Sequence, residues 1–211
     1  QMVRVYAWMF AGLLITAGVS FFTLNTTLFD MILTPVFFLV LVGAEIALVW
    51  YLSSNILKMR YENAMTAFVV YSALNGFTLS ITLSRYIGSS ILNVFLITAV
   101  TFGFISFVGL VTKQDLTGWG PMLLMGLVGI IIASIVNLIM HSSTLYYIVS
   151  FAGVAIFLGL TAYDSQKIKE MYYAYAGTEK ERNIAILGAL ELYLDFINLF
   201  IYILRIFGRR R

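Results

Sequence analysis

The last apolar stretch of the sequence, residues 184–207, is long enough to cross a bilayer and carries two acidic residues in its interior. At about 1.5 Å per helical residue, it can span a hydrocarbon core of about 30 Å. A carboxylate at the centre of a membrane helix costs about 2.5–3.5 kcal/mol, so Glu191 and Asp195 should face protein or a watery cavity. Their spacing of four places both on one face, which Asn198 and Tyr202 continue. We therefore predict that this helix is central and that the other helices surround it.

The rest of the chain is equally apolar. Of its 211 residues, 61% are hydrophobic and 11% are charged, and the mean hydropathy of +0.95 excludes a soluble domain. Short polar breaks divide the chain into apolar runs, which predict an all-α, polytopic membrane protein with seven transmembrane helices. Because the connections are short, we expect a single transmembrane domain over residues 1–211. The predicted spans lie near 4–24, 32–54, 62–85, 90–112, 119–140, 145–168 and 184–207.

The distribution of basic residues predicts the orientation. With seven spans and a cytoplasmic N-terminus, eight lysines and arginines of the N-terminal segment and inner connections lie on the cytoplasmic side, as the positive-inside rule requires. The outer loops then hold only Arg85, although Arg205 and Arg209 to Arg211 would also lie outside. Alternatively, the last apolar segment re-enters and returns to the cytoplasm, but its length favours a full crossing. The eight inner residues are Arg4, Lys58, Arg60, Lys113, Lys167, Lys169, Lys180 and Arg182.

Several function classes lack their sequence signals. The sequence has no cysteine, and its single histidine, His141, cannot form a histidine metal site alone. There is no HExxH, no GxSxG and no glycine-rich phosphate loop, so we expect neither an enzyme nor an organic cofactor. No nucleic-acid-binding module is recognisable either. The expected partners are the lipid bilayer and small cations.

The acids inside the apolar runs are the candidate functional residues. Asp164 lies near the inner end of span six. In span seven, which runs in the opposite direction, Asp195 lies about 16 Å and Glu191 about 10 Å from the inner end, so Asp164 could lie near either. Two carboxyl groups brought together at low dielectric cannot both ionise cheaply, so they should share a proton and titrate as a coupled pair. Such a pair would sense pH. It would also offer the oxygen ligands that calcium accepts, although two carboxylates are too few for tight binding.

Other interpretations of these residues remain open. Asp164 could pair with Lys167 or Lys169, and Glu191 could reach the inner headgroups. Glu45 could hydrogen-bond another span or line a transport path, and Asn198 could bond between helices or support a pore. Tyr163–Asp164 together with Asp195 also has the general arrangement of an intramembrane aspartyl protease. The segment around Asp195, LYLDF, has no glycines to open the helix to a substrate.

Four segments resemble the transmembrane Bax inhibitor motif family, also called the Bax inhibitor-1 family, in its bacterial inner-membrane branch. They are YSALNGFTLS, MGLVGIIIASIVN, GLTAYDSQKIK and ALELYLDFINLFIYILRIFG. The resemblance implies two three-helix layers around a central C-terminal helix. It also implies a pH-sensitive calcium leak, with Asp164 and Asp195 as the aspartate pair and a transient calcium site.

The resemblance has two further implications. In the family a basic residue at the inner end of span two can latch onto the aspartate pair; its register falls on Ile56 here, which leaves Lys58 and Arg60 as substitutes. Some bacterial members act instead as regulators that bind and restrain a membrane-anchored AAA protease. A non-conducting regulator is therefore the alternative to a calcium leak.

Overall fold

The computed structural model describes residues 2–211, which form eight helices and no β-strand. The prediction of an all-α protein is therefore confirmed. In chain order, the helices are α1 (Val3–Leu24), α2 (Leu28–Ile32), α3 (Pro35–Asn55), α4 (Tyr61–Leu83), α5 (Gly88–Val111), α6 (Trp119–Met140), α7 (Ser143–Ala174) and α8 (Glu181–Phe207).

All of these helices except α2 are long and apolar enough to cross a membrane, which confirms the prediction of seven transmembrane helices. Most of their ends fall within about three residues of the predicted ends. The exception is α7, which continues to Ala174 rather than ending near residue 168. In the added turns, Tyr172 is buried, and it lies on the same helix face as the buried Ile168, four residues earlier. Packing therefore extends this helix beyond the apolar run that predicted it.

Local sequence explains several helix ends. Pro35 is the first residue of α3, a position at which its missing N–H removes no helical hydrogen bond. His141 ends α6 in the left-handed region, with a φ of 50°, and its N–H donates to the carbonyl of Asn137. Gly177, with a φ of 75°, allows the turn between α7 and α8.

The chain forms two compact units. The first unit comprises residues 1–85 and 171–193, and the second comprises residues 86–170 and 194–211. Both α7 and α8 contribute residues to each unit. Glu45, Lys58, Arg60 and Glu191 belong to the first unit, whereas Asp164, Asp195 and Asn198 belong to the second.

Close approach of α1 and α4 organises the first unit. A Cβ atom on Gly76 would lie 2.8 Å from the carbonyl oxygen of Thr16, so only glycine fits there. The hydroxyl of Ser20 donates to the carbonyl of Gly76 at 2.7 Å, and that of Thr16 donates to the carbonyl of Ser72 at 2.8 Å. Small and hydroxyl-bearing residues are the usual means by which membrane helices associate.

In the second unit, α5 and α7 make a still closer contact. A Cβ atom on Gly109 would clash with the carbonyl oxygen of Ala162. A T-shaped cluster of phenylalanines connects α5 with α8, because the ring of Phe196 lies 5.4 Å from that of Phe95 and 5.3 Å from that of Phe102. Shape and aromatic packing thus hold these helices together.

Burial distinguishes α8 from the other spans. In its most apolar stretch 78% of the residues are buried, against 11% for α3 and α6 and 44% for α4. This burial is what the interior acids of α8 predict. The expectation that α8 is surrounded by all six other spans stays a prediction.

Candidate functional site

Asp195 lies in the middle of α8 and is 4% exposed. The next residue, Phe196, packs its ring against Phe95 and Phe102 of α5. The turn of α8 that carries this carboxyl group therefore packs on aromatic, apolar side chains. A carboxyl group at so buried a position needs polar partners when it is charged.

Asp164 lies on α7, and its side chain is 14% exposed. The Nζ atom of Lys167, one turn later, is 3.8 Å from its Oδ1 atom. The lysine side chain is 37% exposed, and ion pairs with such exposed partners contribute about 0–1 kcal/mol. The interfacial ion pair considered from the sequence is thus present, but it is long and weak.

An aromatic stack sets the register between α7 and α8. The rings of Phe157 and Tyr202 are stacked, with centroids 5.8 Å apart and planes at 27°. Asp164 lies seven residues after Phe157, and Asp195 lies seven residues before Tyr202. Because seven residues make nearly two helical turns, each aspartate lies on the same face as its ring and about 10 Å along the axis. In antiparallel helices, this register brings both aspartates to one level.

Contacts with α5 fix the rotation of α7 around Asp164. The hydroxyls of Ser106 and Ser165 are 2.7 Å apart and buried. The backbone of α7 at Ala162 lies directly against Gly109. Further along, Lys169 donates to the carbonyl of Leu110 at 2.6 Å. Bonds and close packing on both sides of Asp164 thus hold it in place.

The loop between α5 and α6 is attached to the same part of α7. The Oε1 atom of Gln166 accepts from the N–H of Leu116 at 2.8 Å, and its Nε2 atom donates to the carbonyl of Gln114 at 2.8 Å. In that loop, hydrogen bonds from Thr117 hold the pKa of the exposed Asp115 below its usual value. Asp115 therefore stays ionised near neutral pH.

Glu45 makes the hydrogen bond to another span that one interpretation of the sequence allowed. The hydroxyl of Thr78 donates to its Oε1 atom at 2.8 Å, which joins α3 to α4. Asn75, one turn earlier on α4, also hydrogen-bonds Glu45. The structure therefore shows Glu45 connecting two helices of the first unit.

Sequence reasoning missed the polar group at the centre of this unit. The hydroxyl of Tyr193 is 2.6 Å from that of Thr16 and donates to the Oδ1 atom of Asn75 at 3.0 Å. Tyr193 is fully buried, although tyrosines of membrane helices commonly lie near the interfaces. Its position in the middle of an apolar run was the signal that could have identified it.

The polar stripe predicted on α8 is divided between the two units. Glu191 lies in the first unit and is partly buried. Asn198, in the second unit, donates from Nδ2 to the carbonyl of Leu194 at 2.8 Å and so satisfies its own helix. Tyr202 continues the stripe and forms the stack with Phe157.

The proposed latch residues lie in the turn between α3 and α4. Arg60 is 83% exposed in its side chain and lies 3.5 Å from Glu62, and Lys58 is exposed. Ile56, at the register of the family's basic residue, is buried, and its carbonyl accepts from Asn183 of α8 at 2.7 Å. The latch at Lys58 or Arg60 stays a prediction.

Within residues 2–211, no three histidine, cysteine or acidic residues gather into a group that could hold a metal ion. Asp164 and Asp195 would together supply carboxylate oxygens alone. Because calcium takes six to eight oxygen ligands, most of its shell would have to be water or backbone carbonyls. Such a pair suits passage of the ion better than storage of it.

Several known proteins are similar to this chain over nearly its whole length. A family model described as "Inhibitor of apoptosis-promoting Bax1" matches residues 1–211. The inner membrane protein YbhL of Escherichia coli (strain K12) is 46% identical over 214 residues, which cover 100% of this chain and 92% of that protein. An uncharacterized protein of Borreliella burgdorferi is 43% identical, covering 99% of this chain and 91% of its own. An uncharacterized protein of Deinococcus radiodurans is 39% identical, covering 99% of this chain and 90% of its own.

Proposed function

The chain belongs to the Bax inhibitor-1 family, and from this premise we propose that it is a pH-sensitive leak for cations, calcium among them. Asp164 and Asp195 carry the pH sensitivity and lie on the ion path. The observation that supports this assignment is their common level, seven residues from either side of the Phe157–Tyr202 stack. Both belong to the second unit, and Asp195 is almost fully buried.

The chemistry of such a pair provides a gate. With one shared proton, the two carboxyl groups carry a single negative charge and hydrogen-bond each other. Without that proton, two like charges repel at low dielectric, and a divalent cation becomes the natural counterion. Protonation and calcium therefore compete for the same oxygens. The burial of Asp195 lowers the local dielectric and strengthens this competition.

The proposed location is the inner membrane of a bacterium, where the similar protein YbhL resides by its name. The bilayer is then the first partner, and calcium and protons are the species that pass. The basic residues of the N-terminal segment and of the predicted inner connections support a cytoplasmic N-terminus.

Two alternative functions are a protease regulator and an intramembrane protease. A non-conducting regulator would bind and restrain a membrane-anchored AAA protease, and would be silent in a flux assay. An intramembrane aspartyl protease would use Asp164 and Asp195 to activate water. The continuous helix of α8 from Glu181 to Phe207 does not favour this reading, because no break exposes the backbone around Asp195 to a peptide.

The test is calcium entry into dye-loaded liposomes that contain the purified protein, measured across about pH 6–8. We expect flux above that of empty liposomes, with a pH step that Asp195→Asn removes. Asp115→Asn is the matched control, because it makes the same change at an exposed aspartate of the same unit. Parent protein that conducts no more than empty liposomes would overturn the proposal in favour of the regulator.

A further inference from the structure

The C-terminal segment of the second unit is rich in arginine and is folded back onto the protein. Residues 209–211 are all arginine, and all three are exposed. The N–H of Ile87 donates to the carbonyl of Arg209 at 3.0 Å, and the N–H of Arg209 donates to the hydroxyl of Ser90 at 2.9 Å. These bonds attach the segment to the start of α5 and give its side chains a defined position.

Aromatic rings add a second attachment. The guanidinium of Arg210 lies 5.2 Å from the ring centroid of Tyr146, at the start of α7. Arg205 lies 5.6 Å from the same ring and 5.0 Å from that of Tyr202. Burial raises the pKa of the neighbouring Tyr86 phenol, so that group stays neutral and cannot balance the arginines. The tyrosine rings therefore hold the guanidinium groups in position but do not neutralise their charge.

No acidic residue of the second unit lies near this cluster. The unit, every residue of which is described, has four acids, and Asp115, Asp164 and Glu170 lie in the α5–α6 loop or the second half of α7. Asp195 precedes Arg205 by ten residues, or about 15 Å of helix. Arg209 is moreover fixed beside the N-terminal end of α5, where the helix dipole is already positive. Within the second unit, four arginines are thus collected with no acidic side chain beside them.

We propose that Arg209 and Arg211 bind the phosphate of an anionic phospholipid headgroup at this end of the second unit. A guanidinium can donate two parallel hydrogen bonds to a phosphodiester, which matches its geometry better than an ammonium does. The surrounding tyrosines are residues that favour the headgroup level of a bilayer. With a cytoplasmic N-terminus, these arginines lie on the outer side of the membrane, where the positive-inside rule expects few basic residues. Binding to a lipid phosphate would explain why they are there. This inference does not depend on ion conduction.

The test is native mass spectrometry of the purified full chain in detergent, titrated with phosphatidylglycerol or with phosphatidylcholine. We expect selective retention of phosphatidylglycerol, and a loss of about tenfold or more in its binding on Arg209→Gln with Arg211→Gln, since each basic residue contributes several-fold at an anionic surface. Lys113→Gln with Lys180→Gln is the control, because it removes two exposed charges from connections outside the second unit's C-terminal segment. This control should keep the binding.

Three results would overturn the proposal: unchanged lipid binding in the arginine variant, an equal loss in the lysine control, or displacement of the lipid by millimolar inorganic phosphate. The last result would identify a site for soluble anions. The substituted side chains are exposed, so both variants should keep the parent's melting temperature.

Discussion

In the first unit, the hydroxyl of Tyr193 hydrogen-bonds a hydroxyl and an amide, whereas two residues later on α8 the second unit buries the carboxyl group of Asp195. Tyr193 contacts Thr16 and Asn75 at 2.6 and 3.0 Å. Phe196, beside Asp195, contacts Phe95 and Phe102. The same helix thus carries a hydrogen-bonded neutral hydroxyl, on Tyr193, and a buried ionisable group, on Asp195.

The difference between these polar groups suggests different functions for the two units. Neutral hydroxyls and amides keep the same charge across physiological pH, so the bonds of Tyr193 to Thr16 and Asn75 can fix helix positions but cannot themselves take up protons. A carboxyl group in apolar surroundings changes charge, and every change is strongly felt at low dielectric. We therefore expect the first unit to act as a scaffold and the second to carry the pH response. Glu45 is the acid that tests this division, because it belongs to the first unit.

The largest expected effect comes from Gly109→Ala in the second unit. A Cβ atom there would clash with the carbonyl oxygen of Ala162, so α5 and α7 would have to separate. Overpacking of this kind costs about 1–3 kcal/mol, and it would displace Asp164, two residues further along α7. Thermal unfolding in detergent should show a lower melting temperature, and the pH step in calcium flux should weaken.

Gly103→Ala on the same helix is the control, because a Cβ atom there meets nothing within 4 Å. It should be neutral or slightly stabilising, since alanine favours helix. Equal melting temperatures for the two variants would contradict the close contact between α5 and α7.

Tyr193→Phe should affect stability but not the pH response. The change removes the hydroxyl that bridges Thr16 and Asn75, and hydrogen bonds between membrane helices average about 0.6 kcal/mol each. We expect a loss of about 1 kcal/mol in unfolding free energy and an unaltered pH step. Tyr147→Phe, at a half-exposed ring, is the matched control and should change neither. A pH step abolished by Tyr193→Phe would break the division between scaffold and sensor.

The variants Arg60→Ala and Lys58→Ala test whether a basic residue of the first unit keeps the leak closed, as the family resemblance implies. If one of them does, its removal should raise resting calcium flux a few-fold and weaken the dependence on pH. Stability should change by less than about 0.5 kcal/mol, since both side chains are exposed. Parental flux in both variants would remove the latch from the account and leave the aspartates as the whole gate.

Glu45→Gln should have the smallest effect. The amide oxygen of glutamine can still accept from Thr78, so the link between α3 and α4 survives while the titrating group is lost. We expect the pH step to persist, with stability within about 0.5 kcal/mol of the parent. Liposome flux across about pH 6–8 measures this directly, and a lost step would move the sensor into the first unit.

Much of the fold could be predicted because apolar length is a local property of the sequence. Runs such as residues 119–140 gave both ends of α6, and the two interior acids of α8 predicted its burial. The last turns of α7 could not be foreseen, since they depend on contacts such as that of Lys169 with the carbonyl of Leu110. The helix α2 was missed for a related reason, because its five residues have no periodicity to detect.

The candidate site shows the same limit. Asp164 and Asp195 could be selected because acids are conspicuous in apolar runs. The position of Tyr193 in an apolar run could have marked it as well, but its hydrogen-bond partners could not be predicted, because Thr16 is 177 residues away in the chain. The register that brings the aspartates to one level likewise depends on the stack of Phe157 on Tyr202, which only the packed helices reveal.

The most direct test of the central claim is a double-mutant cycle on the pH step of calcium flux, with the parent, Asp164→Asn, Asp195→Asn and the double variant in liposomes. If the two carboxyl groups share a proton, either single change removes the like charge that couples them, and the double change adds little more. The account predicts that both single variants lose the step between about pH 6 and 8, to nearly the same extent as the double. A parental step that survives in both single variants would contradict the shared-proton gate.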